Sequence, residues 1–316
     1  MKAFIGYLSA YEFWRTNDLP KTSGSSRACP HPGSPISASD AASFNLSDYG
    51  ISEPVHVVVA DQNDRRRSER LVPHVQAGAL SPGSFMEVRP GLYLTSPDMS
   101  FVEMASELSL VELVRYGCVL CASYAYDESN GRGFRERAPL TTVRSLKKTV
   151  RREHARCGSR KAMRALRFVA DTSASPMETI LAMALCLPRM IGGYGLDLPE
   201  LNRRIEARAK GLVKRSYFKC DLYWSESRVA VEYESDEHHT GREEETRDSS
   251  RRAALMAQGI TVVTITRDQF FDARKLDEAA RTVAKLTGKE LPANNGGWMM
   301  RRHRLRTELL SELRKG

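Results

Sequence analysis

The chain has no apolar run long enough to span a membrane, and its opening residues lack the basic-then-apolar layout of a signal peptide. A cytoplasmic location without a membrane partner is therefore expected. Cysteine is scarce: the six thiols, at 29, 118, 121, 157, 186 and 220, are too sparse and irregular for a disulfide scaffold, and most read as small buried apolar side chains. Cys118 and Cys121 have a two-residue spacer, but no second pair of ligands follows to close a zinc site. They also end a helical apolar pattern (Phe101, Met104, Ala105, Leu108, Val111, Leu113) instead of opening a helix after a strand, as a redox pair does. Core packing is the expectation. No long repeat occurs and no glycine-rich phosphate loop: Gly192-Gly193-Tyr194-Gly195 has no Lys-Ser/Thr after it and reads as a turn between a helix and a strand.

Acidic residues are outnumbered. The 316 residues carry a formal charge of +9 and are 41% hydrophobic, enough to bury a substantial core in two domains or one elaborated one. The basic residues cluster at Arg65-Arg66-Arg67, at Lys147-Lys148 with Arg151-Arg152, at Arg251-Arg252, and at Arg301-Arg302-His303-Arg304. Such clusters favour polyanion binding of a salt-dependent kind and agree with a nucleic-acid partner.

Composition divides the chain into four parts: an N-terminal segment and flexible linker over 1–50, a middle α+β region over 51–172, a compact domain over 173–290, and a basic tail over 291–316. Residues 4–14 are apolar enough to dock as a strand or short helix, whereas 19–45 are rich in Ser, Pro and Gly and read as a loop. Strands are predicted at 55–59, 71–75, 85–88 and 92–94, with a helix from Ser96-Pro97-Asp98 to about Tyr116. Further helices are predicted over 142–156 and 160–171. In the tail, 298–314 reads as a basic helix with Trp298 packed on the core.

The stretch 217–266 carries the chemistry. Alternation in 217–224 sends Phe218, Cys220, Leu222 and Trp224 one way and Lys219, Asp221 and Tyr223 the other. In 228–234 it places Val229, Val231 and Tyr233 opposite Glu232 and Glu234. If both strands hide their apolar side, Asp221, Glu232 and Glu234 share a surface. Neighbouring carboxylates repel and raise one another's pKa unless a cation neutralises them. Hard oxygen ligands favour Mg²⁺ or Mn²⁺, and such an ion suits phosphodiester hydrolysis. In the helix that follows, Arg247 and Arg251 share a face four residues apart, with Arg252 beside them, placed to contact backbone phosphates together with Lys219.

The ordered run Asp221, Glu232-Tyr233-Glu234, Glu237-His238-His239, Arg247-Asp248-Ser249-Ser250-Arg251-Arg252 and 259–266 resembles the PD-(D/E)XK nuclease superfamily. The likeness is to its branch related to very-short-patch repair endonucleases, and it covers roughly 173–287. The resemblance implies a restriction-endonuclease-like core of a helix, a three-stranded meander, a helix and a strand, and a metal-dependent DNA endonuclease of repair or defence. Asp221 and Glu232 are the implied metal ligands, joined by Glu178 of the first helix. Ser175-Pro176-Met177-Glu178 is also a capping sequence, so both roles stand open for Glu178. His239 or His238 is the implied general base. Glu234 stands where the family carries a lysine, so it is either a further ligand or another residue supplies the charge. The middle region is loosely similar to AbiEi-type antitoxins, through the 94–113 pattern and Ala138-Pro139-Leu140-Thr141, but residues 1–50 hold no winged helix-turn-helix. A regulator that binds DNA or a toxin-like protein without cutting is the alternative.

Overall fold

The computed structural model describes residues 2–20, 44–65, 68–76, 80–206, 217–234 and 242–311, with side chains described from 249 onward in the last segment. The chain is mixed α and β and divides into two compact units, 1–169 and 170–316.

In the first unit, the opening strand β1 (Ala3–Ile5) is fully buried and lies at the centre of a five-stranded sheet. It runs antiparallel to β2 (Val55–Val59) and parallel to β5 (Leu92–Thr95); β3 (Leu71–Val75) and β4 (Phe85–Arg89) form the edges. Residues 3–16 are thus integral to this sheet and its cover, not a segment apart, because Ala3, Phe4 and Ile5 have no solvent face to give up. Helix α1 (Tyr7–Thr16) follows directly and buries Trp14, whose indole N–H donates to the Thr95 carbonyl at 2.8 Å.

The helix predicted from Ser96 to about Tyr116 is two helices, α2 (Pro97–Glu107) and α3 (Leu110–Cys121). Each begins on a serine side chain that accepts a backbone N–H, Ser96 from Met99 and Ser109 from Glu112; Glu112 completes a capping box at the second. Cys118 and Cys121 are buried on α3, in keeping with core packing. A short hairpin, β6 (Tyr124–Tyr126) and β7 (Phe134–Glu136), and helices α4 (Val143–Arg152) and α5 (Ser159–Ala165) complete the unit.

The second unit follows the order helix, meander, helix, strand. Helix α6 (Pro176–Cys186) is followed by β8 (Glu200–Glu206), β9 (Tyr217–Trp224) and β10 (Val229–Glu234), which pair antiparallel in turn. Helix α7 (Arg242–Met256) then leads to β11 (Thr261–Thr266), which pairs parallel with β10. The short α8 (Arg267–Phe271) and α9 (Ala273–Leu286) follow, and α10 (Gly296–Leu310) closes the unit. Trp298 of α10 is buried, its indole N–H donating to the Gly193 carbonyl at 3.2 Å, so α10 packs into this unit through Trp298, Leu305 and Leu309. Helices α6 and α7 pack against the sheet, as does α9, which contacts β10 and β11.

Candidate active site

The ladder between β9 and β10 runs through Val229 with Trp224, Ala230 with Tyr223 and Val231 with Leu222. One step further the Asp221 side chain breaks in: its Oδ2 accepts the Tyr233 backbone N–H at 2.9 Å. Strand β9 keeps its pairing to β8 across this point, with Leu201 opposite Leu222 and Arg203 opposite Cys220. Asn202, between those partners on β8, adopts a left-handed backbone at φ 50°. Its side-chain amide donates to the Thr172 carbonyl at 3.1 Å and to Glu178 Oε2 at 2.5 Å.

Glu178 is buried at the start of α6 and also serves the cap. Ser175 Oγ accepts the Glu178 N–H at 3.2 Å and donates to Glu178 Oε1 at 3.0 Å, while the Ala174 N–H donates to Oε2 at 2.8 Å. Burial, and then the nearby charge of Asp221, push the Glu178 carboxyl up to about 7. The capping role and the place beside Asp221 therefore coincide.

The acids do not share an outer surface, as alternation predicted. Strand β10 is a central strand, and Val229, Ala230, Val231 and Glu232 are all buried. Nor does β9 keep strict alternation: Phe218, Cys220 and Tyr223 pack in one cluster with Ala230 and with Ala254 and Leu255 of α7. The side-chain parity reverses between Cys220 and Tyr223, across Asp221. On β10 consecutive residues point to opposite faces and all four from Val229 to Glu232 are buried, so over this stretch the strand offers an acid no solvent side to occupy.

Glu232 meets that burial with an arginine. Its Oε1 lies 2.7 Å from Arg251 Nη2, and the same guanidinium nitrogen donates to the Lys219 carbonyl. Burial and Asp221 nevertheless raise the Glu232 carboxyl to about 7, with Arg251 opposing. Asp221 is raised by burial too, opposed first by the Tyr233 N–H and then by Arg251 and Lys219. Buried beside Glu232, the Cys220 thiol is pushed up to about 12, which rules it out as a thiolate nucleophile near neutral pH.

The structure thus draws Asp221, Glu232, Glu178, Arg251 and the Lys219 backbone into one neighbourhood. Glu234 stands apart, paired at 2.6 Å with the half-exposed Arg252. Lys219 is exposed, close enough to Asp221 for its charge to be felt. His238, His239 and the Arg247 side chain lie outside the described residues. No local pattern points to Asn202, whose part follows from the left-handed turn of β8, or to the hold of Arg251 on Glu232, which depends on how α7 lies over the sheet.

Donor type and charge fit a hard divalent ion: burial, and then the neighbouring Asp221, hold the Glu178 and Glu232 carboxyls above their ordinary range, and a guanidinium is paired with Glu232. Among the described residues, however, no three His, Cys, Asp or Glu side chains are arranged as a ready ligand set. Asp221 and Glu232 are the side chains that would hold an ion, and Glu178 lies beside them engaged in its cap.

Two uncharacterized proteins of Mycobacterium tuberculosis, one from each of two strains, are each 30% identical to this chain over 141 residues. That match covers 45% of this chain and 46% of each relative, so the chain spans about half the length of the curated relatives it matches. No family model matches the chain, and no solved structure matches it.

Proposed function

We propose that the second unit is a nuclease-type domain that hydrolyses DNA phosphodiester bonds with the aid of Mg²⁺ or Mn²⁺. The observation that carries this reading is the gathering of Asp221 and Glu232, with Glu178 beside them, where β9 and β10 stop pairing, all three carboxyls raised above their ordinary range. A divalent ion there would polarise a phosphoryl oxygen and lower the pKa of a bound water. Around it the chain's own groups have distinct parts. The Tyr233 N–H fixes the Asp221 carboxylate, Asn202 fixes Glu178, and Arg251 offsets the charge of Glu232. Arg252 and Lys219, both exposed, are placed to meet backbone phosphates. His238 or His239 is the proposed proton carrier.

The test is a plasmid incubated with pure protein and Mg²⁺ or Mn²⁺. The wild type is expected to nick it and Asp221→Asn to leave it intact. Absence of nicking by wild type across several metals and DNA forms would end this reading.

A second reading is favoured by the Glu232–Arg251 pair together with Glu234 at the position of the family's lysine. It is a regulator, antitoxin-like, that binds DNA or a protein without cutting. Its mark is a gel shift that persists in Asp221→Asn, with no cleavage by either protein.

A further inference from the structure

Arg251 occupies an unusual position for a surface-helix arginine. Its Nη2 spans the gap opened between two strands, reaching Glu232 Oε1 on β10 at 2.7 Å and the backbone carbonyl of Lys219 on β9. The arginine side chain is 29% exposed and the glutamate side chain 9%, so Glu232 depends on this partner while the partner keeps a route to solvent. Leaving a buried carboxylate without its cation is strongly unfavourable, which ties the ion-free fold to Arg251. Yet one guanidinium does not satisfy the centre. The described hydrogen bonds to Asp221 and Glu178 come from neutral groups, the Tyr233 N–H on one and the Ala174 N–H, Ser175 hydroxyl and Asn202 amide on the other.

We propose that Arg251 is an exchangeable counter-charge: it holds Glu232 in the ion-free protein and yields it to a divalent cation. The proposal rests on the nuclease reading for its biological sense, and its physical content is a competition between one guanidinium and one ion for the same carboxylate. The exposed side of Arg251 gives it somewhere to go, because a long arginine stem can swing outward while its apolar part stays against the helix.

The experiment compares wild type, Arg251→Met and Arg251→Lys by thermal unfolding with and without Mn²⁺, and by calorimetric titration with Mn²⁺. Arg251→Met is expected to melt below wild type without the ion and to recover most of that loss when Mn²⁺ is added. It should bind Mn²⁺ about tenfold more tightly than wild type, a difference of ~1.4 kcal/mol, with Arg251→Lys between the two. A guanidinium that merely pins α7 to β9 predicts a variant destabilised equally with and without Mn²⁺ and no gain in Mn²⁺ affinity, and that result overturns the proposal. Should Arg251→Met not fold, Arg251→Gln is read by the same two measurements.

The two ideas fail separately. A wild type that nicks DNA, beside an Arg251→Met protein of unchanged Mn²⁺ affinity, removes the exchange and keeps the nuclease. A wild type that binds Mn²⁺ but does not nick, beside an Arg251→Met protein that binds the ion more tightly, removes the nuclease and keeps the exchange.

Discussion

The Asp221 carboxylate accepts the backbone N–H of Tyr233 at 2.9 Å, joining two strands one step beyond the last pair of their ladder. This bond separates structure from chemistry. Asp221→Asn keeps an acceptor for that N–H, whereas Asp221→Ala leaves the buried donor without it, a cost of about 1–3 kcal/mol. In urea unfolding, the Asn variant is expected to stay close to wild type and the Ala variant to fall by that amount. On the nuclease proposal both lose the carboxylate charge that would hold the ion, and several kcal/mol of transition-state stabilisation correspond to a loss of nicking of roughly a hundredfold or more. An Asn variant that nicks at the wild-type rate would remove Asp221 from the reaction.

Glu178 gives a pH test that needs no substrate. Its folded carboxyl lies near 7 against an ordinary value of 4.5, so the folded state retains the proton longer than the unfolded chain. Its contribution is therefore fully present below about 4.5 and lost as pH rises through about 7. Gln in its place does not titrate and can still accept from Ala174 and Asn202 through its carbonyl oxygen. Between pH 5 and pH 8 the stability difference should move in favour of Glu178→Gln by about 1 kcal/mol or more. A difference that stays constant across that range contradicts the burial of an ionising group there.

Much of this architecture was legible in the residues. The apolar runs at 55–59 and 71–75 and the β-branched run at 261–266 are strands, and the Ser-Pro starts at Ser96 and Ser175 are caps. The break between α2 and α3 falls at Leu108-Ser109-Leu110, a turn that belongs to the 94–113 pattern, where Ser109 and Glu112 spell a capping box; periodicity alone runs on to Tyr116 because the apolar positions continue in helical register across it. The orientation of the acids was misjudged for a different reason. Alternation tells inside from outside only when a sheet has one wet face, and β10 lies between β9 and β11 with Val229, Ala230, Val231 and Glu232 all buried. Arg251 and Glu232 are 19 residues apart, so their pairing depends on the placement of a helix that no local pattern encodes.

The loop after α6 is held by close backbone approach. A Cβ on Gly193 would lie 2.0 Å from the Leu187 carbonyl oxygen, and one on Gly192 would meet the Arg301 carbonyl oxygen at 2.4 Å with φ already at 103°. Gly195, in the same loop, has φ 73° but its nearest such neighbour is 3.9 Å away. Gly193→Ala must displace backbone and is expected to cost more than ~2 kcal/mol, while Gly195→Ala meets only the left-handed penalty of about 1–2 kcal/mol. Equal losses for the two variants in denaturant unfolding would show that the loop yields freely.

In the first unit, His56 Nδ1 and His74 Nε2 lie 2.9 Å apart, and the Tyr7 ring stacks on His74 with centroids 3.6 Å apart. Burial, then His56 and then Arg65, lower His74 from 6.5 to about 4; burial lowers His56, with Glu12 and Glu107 opposing. Here the unfolded chain takes up the proton first, so stability is intact above 6.5 and is lost as pH falls through the window down to about 4. The loss attributable to His74 is on the order of 1 kcal/mol once partial exposure is allowed for. His74→Phe keeps an aromatic ring against Tyr7 and cannot titrate, so its melting temperature should fall less than that of wild type between pH 7 and pH 5. Parallel declines for the two proteins would mean that the pair takes up its protons in the folded state without cost, and that His74 is more open to water than its packing against Tyr7 implies.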